Sequence, residues 1–409
     1  MGYRLIEVEL SRPLEAVTLE PEQDGCGIVA RWHDRLIGFH MEALAAGSTL
    51  SSEALQAIAD RSFAEGVLAA RVDAALAEVR PDAVRPGATK PSLSIAICTR
   101  NRAARLGRLL RSLEQARPEG TFRNVEVLVV DNGSTDDTRE TVEGFRQARY
   151  VHEGRAGLNF GRNAALAAAR GDLLAFLDDD VVVDRWWLGG LAEAWRSRPD
   201  AGGFTGLALP FRLETEAQVF FEGRGGFGRG FKRIEFRPES HANPLFPVGA
   251  GSIGAGCNMA FDRRLLLELG GFDEALDTGA PLPGGGDLDI FYRVLRSGRP
   301  MIYEPRYTVY HEHRETIAEL TRQYWSWGLG LMAFLVKSTR SDPELRARHR
   351  AMIRWWFGDQ LQSLLRSLAK GDLARARFTV AELRGGVTGL WGEYDRSEAR
   401  IAAIRAAAA

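Results

Sequence analysis

Three consecutive carboxylates, Asp178, Asp179 and Asp180, follow a short apolar run at residues 173–177. Such a run predicts a buried strand whose carboxyl end presents the acids to a crevice. Adjacent anions repel one another, so the arrangement is costly unless a cation offsets their charge. Oxygen ligands suit Mg²⁺ or Mn²⁺, and Mg²⁺ is commonly held by one or two carboxylates together with substrate phosphates. Taken alone, the three residues are also compatible with a solvated acidic turn.

Composition narrows the class of protein. A chain of 409 residues is long enough for two or three structural units with a large core. The net charge of −1 argues against nucleic acid as the main partner. The three cysteines are isolated, which predicts neither a disulfide framework nor a zinc site and favours the cytosol. We expect neither a signal peptide nor a transmembrane helix. Only four of the 53 lysine and arginine residues are lysines, a composition typical of GC-rich bacterial genomes.

The pattern of predicted strands and helices divides the chain into three units. Residues 1–88 are predicted to form an N-terminal accessory α+β unit that ends in a linker at 80–91. Residues 92–180 alternate strand and helix, which predicts βαβ units and a parallel sheet. We expect residues 89–315 to form one α/β unit with a mixed, mostly parallel sheet flanked by helices. Residues 316–409 are predicted to form a helical C-terminal extension, whose apolar face could pack on the domain or lie on a membrane interface.

Polar residues follow three of the predicted strands, at the point where each strand ends. In parallel α/β sheets, ligands bind outside the carboxyl ends of the strands, so we expect these side chains to meet at one site. The residues concerned are Thr99, Arg100, Asn101, Arg102, Asp131, Asp178, Asp179 and Asp180.

These groups fit a nucleoside diphosphate. Asp131 at a strand end can accept a hydrogen bond from N3–H of uracil or thymine. The turn at 99–102 supplies backbone amides and cations. The segment that contains Gly157, Arg162 and Asn163 enters a predicted helix, and helix N-termini favour phosphate.

A second cluster lies in the glycine-rich loop before another predicted helix. The loop leads into Asp287, which lies at or near the N-cap. A catalytic base needs a carboxylate near the acceptor hydroxyl, and Asp287 is the best placed; an ordinary N-cap aspartate is the alternative. Asp289 lies four residues before Arg293, a spacing that also favours a helix ion pair. The predicted acceptor-side residues are Asn258, Gly285, Gly286 and Asp289.

Two histidines close the last predicted strand of the sheet. His311 and His313 alternate, so on a strand they share one face. A histidine beside a carboxylate cluster can complete the ligand set of a divalent ion. A structural role for either histidine is equally compatible with the spacing.

Taken together, these motifs resemble glycosyltransferase family 2. They follow the order of that family at residues 95–102, 129–136, 161–163, 178–180, 270–274 and 287–289. The resemblance implies a GT-A fold, a nucleotide-sugar donor and inversion at the anomeric carbon. By the same resemblance Asp131 contacts the base, and Asp178 and Asp180 form the DXD pair, with Asp180 the direct metal ligand. Asp287 matches the catalytic aspartate, and His311 or His313 completes the metal site.

We therefore expect an enzyme that transfers a sugar from a UDP- or dTDP-sugar, with Mn²⁺ or Mg²⁺, in polysaccharide, cell-wall or glycoconjugate synthesis. A glycan, a lipid-linked sugar or a small molecule could be the acceptor, and a GDP donor stays open. The expected location is the cytoplasm, at the inner face of the plasma membrane if the C-terminal helices contact it. Two alternatives remain: an inactive sugar- or lipid-binding scaffold, and a nucleotidyltransferase, although the turn at 99–102 lacks the glycine of a triphosphate loop.

Overall fold

The computed structural model describes residues 2–79, 90–116, 122–237, 243–276 and 282–408. Most of the predicted linker at 80–91, and with it the predicted boundary after residue 88, lies outside the described residues.

A small sheet and one long helix form the N-terminal part. Its elements are β1 (Gly2–Glu9), β2 (Val17–Thr18), β3 (Gln23–Trp32), β4 (Arg35–Ala43), β5 (Thr49–Leu50) and α1 (Ser52–Val79). β1 pairs parallel with β3, and β3 pairs antiparallel with β4. His33 and Asp34 form the turn between β3 and β4 with φ values of 46° and 67°, the positive values that two-residue hairpin turns require. The first half of α1 packs Leu55, Ile58 and Phe63 against this sheet.

The next elements form a large central sheet and the helices that flank it. The elements are β6 (Leu93–Thr99), α2 (Ala103–Gln115), β7 (Val125–Asp131), α3 (Thr138–Glu143), β8 (Ala148–His152), α4 (Leu158–Ala168), β9 (Leu173–Asp178), β10 (Val181–Val183), α5 (Trp187–Ser197), β11 (Gly203–Pro210), α6 (Glu216–Gly223), β12 (Ile234–Phe236), β13 (Asn258–Asp262), α7 (Arg263–Glu268), α8 (Gly286–Arg296) and β14 (Met301–His311).

The strand order is β10-β14-β11-β13-β9-β6-β7-β8, and β12 adds to β14. The β9-β6-β7-β8 half is parallel, as is the β11–β14 pair, whereas β13, β10 and β12 run antiparallel to their neighbours. The prediction of a mixed sheet flanked by helices is confirmed. Because β6, β7 and β9 are parallel, their carboxyl ends meet at one edge.

Two apolar layers cover the faces of this sheet. On one face α2 and α5 contribute Leu106, Leu109, Trp187 and Leu191. On the other face α4 and α8 pack against strand residues such as Phe176. Strands buried on both faces are apolar without alternation, and this explains the continuous apolar runs in β6 and β9.

The C-terminal region is helical, as predicted. Its helices are α9 (Ile317–Ser341), α10 (Arg346–Ala369), α11 (Leu373–Thr388) and α12 (Tyr394–Ala408). α9 begins with a capping box in which Thr316 and Glu319 satisfy each other's backbone N–H groups. Within the described part of the chain, no helix combines the length and apolarity needed to cross a bilayer.

Candidate functional site

The loops that follow β6, β7 and β9 come together at the carboxyl edge of the sheet. Register brings Thr99 beside Asp131, and Cys98 beside Asp178. The residues predicted to share one site from their positions after strands are therefore neighbours in the structure.

Asp131 is the last residue of β7 and is buried beside polar partners. One carboxylate oxygen accepts from the backbone N–H of Ser134 at 2.8 Å, and the other accepts from the Tyr150 hydroxyl at 2.6 Å. Burial opposes the charged form, but these hydrogen bonds outweigh burial and hold the pKa of Asp131 below its usual value. A carboxylate has about four acceptor positions, so Asp131 can accept a further N–H from a ligand.

Hydrogen bonds to the buried Asp179 carboxylate hold the loop that follows β6. The Thr99 hydroxyl donates to this carboxylate at 2.8 Å, and the Arg102 guanidinium donates at 2.7 Å. Burial, together with the neighbouring Asp180, nevertheless raises the pKa of Asp179. Asp179 therefore fixes the loop from inside, while the Arg100 side chain is exposed to solvent.

Asn101 joins the loops after β6 and β7. Its backbone adopts a φ of 54°, which asparagine tolerates better than most residues. Its N–H donates to the Ser134 hydroxyl at 2.9 Å, and its side-chain oxygen accepts from the N–H of Thr135 at 2.7 Å. Asn101 thus sets the spacing between the two loops.

The N-terminus of α4 lies beside the loop that follows β7. Gly157 is its N-cap and donates its N–H to the Asn132 side chain at 2.8 Å. The buried Arg162 donates to Asn159 at 3.1 Å, and its Nη2 lies 3.8 Å from Asp178 Oδ1. Asn163 instead exchanges hydrogen bonds with the backbone of Phe272, at 2.8 and 2.9 Å, and so fastens the turn at 270–272.

Asp180 and His311 face each other across the end of the sheet. Their Oδ1 and Nε2 atoms lie 3.5 Å apart. Asp180 Oδ1 is buried, and no described residue donates a hydrogen bond to it. The other oxygen, Oδ2, has Arg102 at 3.6 Å and Arg314 at 4.0 Å. A buried carboxylate oxygen without a donor is costly, so this atom is suited to a cation.

His311 has the charge state that a metal ligand needs. Burial, with His313 and Arg314 nearby, holds the pKa of His311 well below its usual range, so the ring is neutral. Two ligands of one Mg²⁺, each at about 2.1 Å, can lie up to about 4.2 Å apart, so the 3.5 Å separation from Asp180 fits. Over the residues that the structure describes, no group of three or more His, Cys, Asp or Glu side chains could hold a metal ion by itself.

His313 contacts Glu222 and His311 rather than Asp180. Its Nε2 lies 2.9 Å from Glu222 Oε2, and its Nδ1 lies 3.1 Å from His311 Nδ1. The structure therefore brings His311, and not His313, to Asp180. Glu312, between the two histidines, is turned to other partners and binds the guanidinium groups of Arg105 and Arg108.

Asp287 lies in the first turn of α8, half-buried. Its Oδ1 accepts from the N–H of Leu288 at 2.9 Å. A Cβ added at Gly256 would lie 3.3 Å from Asp287 Oδ2 and 3.5 Å from Arg162 Nη2, so both side chains lie against this glycine. Asp287 is thus brought close to Arg162, which itself lies near Asp178.

The glycine-rich loop before α8 has a specific backbone requirement. Gly285 is the N-cap of α8 with a φ of 102°, and a Cβ there would lie 2.7 Å from the carbonyl oxygen of Gly330. Gly286, the first residue of α8, is buried beside it. The two glycines therefore bring the start of α8 against α9 and position Asp287.

Two of the predicted acceptor-side residues have other partners. Asn258 is buried, accepts from the Trp187 indole N–H at 3.0 Å and donates to the Tyr307 carbonyl at 2.7 Å. Asp289 is buried between Arg293, at 2.8 Å, and Lys337. The helix ion pair with Arg293 that its spacing favoured is present.

Sequence reasoning missed three side chains of this crevice. These are the side chains of Tyr150, which donates to Asp131, of Arg314, which lies near Asp180, and of Glu222, which contacts His313. Glu222 lies 91 residues from His313 along the chain, so no local spacing signals their contact.

Comparisons with known proteins identify the family to which this chain belongs. The sequence model of the family described as "Glycosyl transferase family 2" matches residues 94–266. The succinoglycan biosynthesis protein ExoM of Rhizobium meliloti (strain 1021) is 30% identical over 245 residues, which cover 58% of this chain and 72% of ExoM. The chain belongs to glycosyl transferase family 2.

A second relative and a solved structure extend the comparison. The pre-mycofactocin glycosyltransferase of Mycobacterium tuberculosis (strain ATCC 25618 / H37Rv) is 25% identical over 319 residues, 77% of this chain and 60% of that protein's length. The mannosyltransferase PcManGT from Pyrobaculum calidifontis, solved with GDP-Man and Mn²⁺, has 18% identity and a TM-score of 0.50. That alignment covers 74% of this chain and 88% of PcManGT. The expected GT-A fold is confirmed.

Proposed function

We propose that this protein is an inverting glycosyltransferase that moves a sugar from a nucleoside-diphosphate donor to an acceptor hydroxyl. The observation that carries the proposal is the pair formed by Asp180 Oδ1 and His311 Nε2, 3.5 Å apart at the sheet edge that also holds Asp131. A buried carboxylate oxygen without a donor, facing a neutral imidazole, suits a divalent cation beside a diphosphate. The Mn²⁺ and GDP-Man bound to PcManGT support the same interpretation.

The donor nucleotide would lie across the ends of β6 and β7. Asp131 would accept the N3–H of a uracil or thymine base, the donor bases that this carboxylate suits. Arg100, which is exposed, and Arg162, in the second turn of α4, would face the diphosphate. Asp178 at the end of β9 completes the DXD pair.

Asp180 and His311 would hold the Mn²⁺ or Mg²⁺. The bound ion would offset the negative charge of the departing nucleoside diphosphate. Both side chains are buried, so they are oriented before any ligand arrives.

Asp287 would act as the base. Its carboxylate takes the proton of the acceptor hydroxyl while that oxygen forms a bond to the anomeric carbon. The bond from this carbon to the phosphate oxygen breaks, and the electron pair leaves with the nucleoside diphosphate. Attack from the face opposite the leaving group inverts the anomeric centre.

The same assignment places the chemistry in residues 89–315. We propose that residues 1–88 and 316–409 are accessory to it.

We also propose that α10 contacts a membrane surface. Leu361, Leu365 and Leu368 are exposed on one face of α10, and Trp355, Arg354 and Arg366 of the same helix are also exposed. Co-sedimentation with vesicles that contain anionic lipid, weakened by charged residues at the three leucines, tests this contact.

Product analysis tests the proposed reaction. The full chain is incubated with Mn²⁺ and a panel of UDP-, dTDP- and GDP-sugars, with water as the default acceptor. Release of free nucleoside diphosphate, with a sugar whose anomeric configuration by ¹H NMR is opposite to the donor's, is the expected result. Pyrophosphate release would indicate nucleotidyl transfer, and no turnover of any donor would support an inactive scaffold.

A further inference from the structure

A chain of hydrogen bonds runs from α6 to the candidate metal ligand His311. Glu222 Oε2 lies 2.9 Å from His313 Nε2, and His313 Nδ1 lies 3.1 Å from His311 Nδ1. The remaining ring nitrogen, His311 Nε2, faces Asp180 Oδ1 at 3.5 Å. All four side chains are buried, so water has little access to these contacts.

The direction of each hydrogen bond follows once Glu222 is taken as the acceptor, the usual role of a carboxylate. His313 Nε2 then donates to Glu222. With that one N–H on the ring, His313 Nδ1 accepts from His311 Nδ1–H. His311 then has no hydrogen on Nε2, and this nitrogen presents its lone pair toward Asp180.

The opposite arrangement disagrees with the geometry. If His313 donated from both nitrogens, His311 Nδ1 would accept and Nε2–H would point at Asp180 Oδ1. That oxygen would then receive a hydrogen bond, yet 3.5 Å is beyond the usual range and no described residue donates to it.

Aromatic rings hold the two imidazoles in place. The Phe227 ring lies edge-on to His311 with the ring centres 4.9 Å apart, and the Phe221 ring lies edge-on to His313 at 4.8 Å. Gln218, one turn before Glu222 on α6, donates to the His313 carbonyl at 3.3 Å. Rotation of either imidazole would therefore require α6 and its following loop to move.

We infer that Glu222 and His313 are positioning residues that fix His311 in the Nδ1–H tautomer, with its Nε2 lone pair directed at a divalent cation shared with Asp180. This inference rests on the proposed function, because it assigns the orientation of a ligand in the proposed metal site. Partners behind a metal-bound histidine fix its ring and raise its basicity, and their loss commonly weakens metal binding 10- to 100-fold.

Two kinds of variant at Glu222 separate positioning from packing. Glu222→Leu removes the acceptor for His313, and we expect Mn²⁺ binding to weaken about 10- to 100-fold. Glu222→Gln keeps an oxygen that accepts from His313 Nε2, so binding should return close to the wild-type value. Glu216→Gln, at an exposed position on the same helix, is the matched control and should leave binding unchanged.

Binding of Mn²⁺ alone is measured by electron paramagnetic resonance titration of the full chain, beginning with wild type and His311→Ala. If wild type binds no Mn²⁺, or if His311→Ala binds Mn²⁺ as wild type does, the proposed metal site is wrong. If His311→Ala loses binding while Glu222→Leu retains wild-type affinity, only the positioning role is wrong.

A spectroscopic measurement tests the tautomer without metal and without any variant at Glu222. Long-range ¹H–¹⁵N NMR of histidine-labelled wild type, assigned with His311→Ala and His313→Ala, reports which ring nitrogens carry hydrogen. We expect Nδ1–H at His311 and Nε2–H at His313. Hydrogen on Nε2 of His311 would overturn the inference, whatever the affinity for Mn²⁺.

Discussion

Arg31 of β3 and Asp184, after β10, form a buried ion pair that joins the N-terminal sheet to the central one. Their exposed fractions are 1% and 3%. Arg31 Nε also lies 2.8 Å from Glu7, and Arg31 Nη2 donates to the Tyr310 hydroxyl at 3.1 Å. The N-terminal unit is therefore attached to the strand that carries His311 at its end.

Removal of Arg31 should destabilise the protein. Arg31→Met leaves Asp184 buried without its cation, and loss of one partner of a buried pair costs about 3–5 kcal/mol. Urea unfolding measures the free energy. Adding Asp184→Asn to Arg31→Met should recover part of the loss. Arg35→Met is the control: its pair with Asp73 is partly exposed, so the change should cost below about 1 kcal/mol. Equal effects of the two arginine variants would contradict the structure at this interface.

Close packing of α9 on α11 depends on two glycines. A Cβ at Gly328 would lie 2.0 Å from the Glu382 carbonyl oxygen, and one at Gly385 would lie 1.9 Å from the Trp325 carbonyl oxygen. Either Gly→Ala change should force the helices apart and cost roughly 1–3 kcal/mol, since overpacking has costs of this size.

The control for these glycines lies on α10. A Cβ at Gly358 meets no atom within 4 Å outside its local helix, so Gly358→Ala should stabilise by about 0.5–1 kcal/mol. Thermal unfolding of the three variants gives the comparison. A stabilised Gly328→Ala or Gly385→Ala protein would show that the two helices do not pack in this way.

Glu382 on α11 should make stability fall with rising pH. Burial raises the pKa of Glu382 to about 7, although Arg224 and Gln360 oppose the shift. An unfolded glutamate titrates at about 4.3. Between these values the folded state keeps a proton that the unfolded state has lost, so stability decreases from about pH 4.3 to about pH 7 and does not recover above it.

Glu382→Gln removes this penalty. We expect it to raise the free energy of unfolding by roughly 1–3 kcal/mol at pH 8 and to have little effect near pH 4.5, since one pKa unit corresponds to about 1.4 kcal/mol. Glu398→Gln, at an exposed position, is the control and should leave the free energy of unfolding unchanged at both pH values. The same effect of Glu382→Gln at both pH values would refute the raised pKa.

The sequence predicted the parts of the site that follow apolar strands. Asp131 and Asp178 could be placed because short apolar runs in a βαβ pattern leave polar residues at one edge. The strand β11 was not predicted, although it is fully buried between β14 and β13. It contains two glycines and a proline, residues that are depleted in strands, so burial on both faces and not local propensity decides its structure.

The contacts between side chains distant in the sequence could not be predicted at this site. The spacing of His311 and His313 left the metal ligand open, because two residues on one face of a strand look equivalent. Glu222 distinguishes them through a contact that depends on the packing of α6. Likewise Asn258 and Asp289 are suitable acceptor ligands by residue type, but both have their partners in the interior.

Asp287→Asn tests the assigned base. An amide cannot take the acceptor proton, so the rate of sugar transfer should fall roughly 10²–10⁴-fold while donor binding is retained. Initial rates of nucleoside diphosphate release, with donor affinity by calorimetry on the same variant, give both quantities. Full activity would exclude Asp287 as the base, whereas loss of donor affinity would assign it to the donor site.

The most direct test of metal-dependent donor binding is a thermal-shift panel of UDP, dTDP and GDP, each with and without Mn²⁺, on wild type, Asp180→Asn and the exposed control Asp60→Asn. A ligand at about 100 times its Kd adds about 2.7 kcal/mol of stability, which such a scan detects. We predict that one nucleotide stabilises wild type and Asp60→Asn only when Mn²⁺ is present, and that Asp180→Asn loses this response. The proposed function would be contradicted if nucleotide stabilised the protein equally without Mn²⁺ and in the Asp180→Asn variant. It would also be contradicted if no nucleotide stabilised the protein.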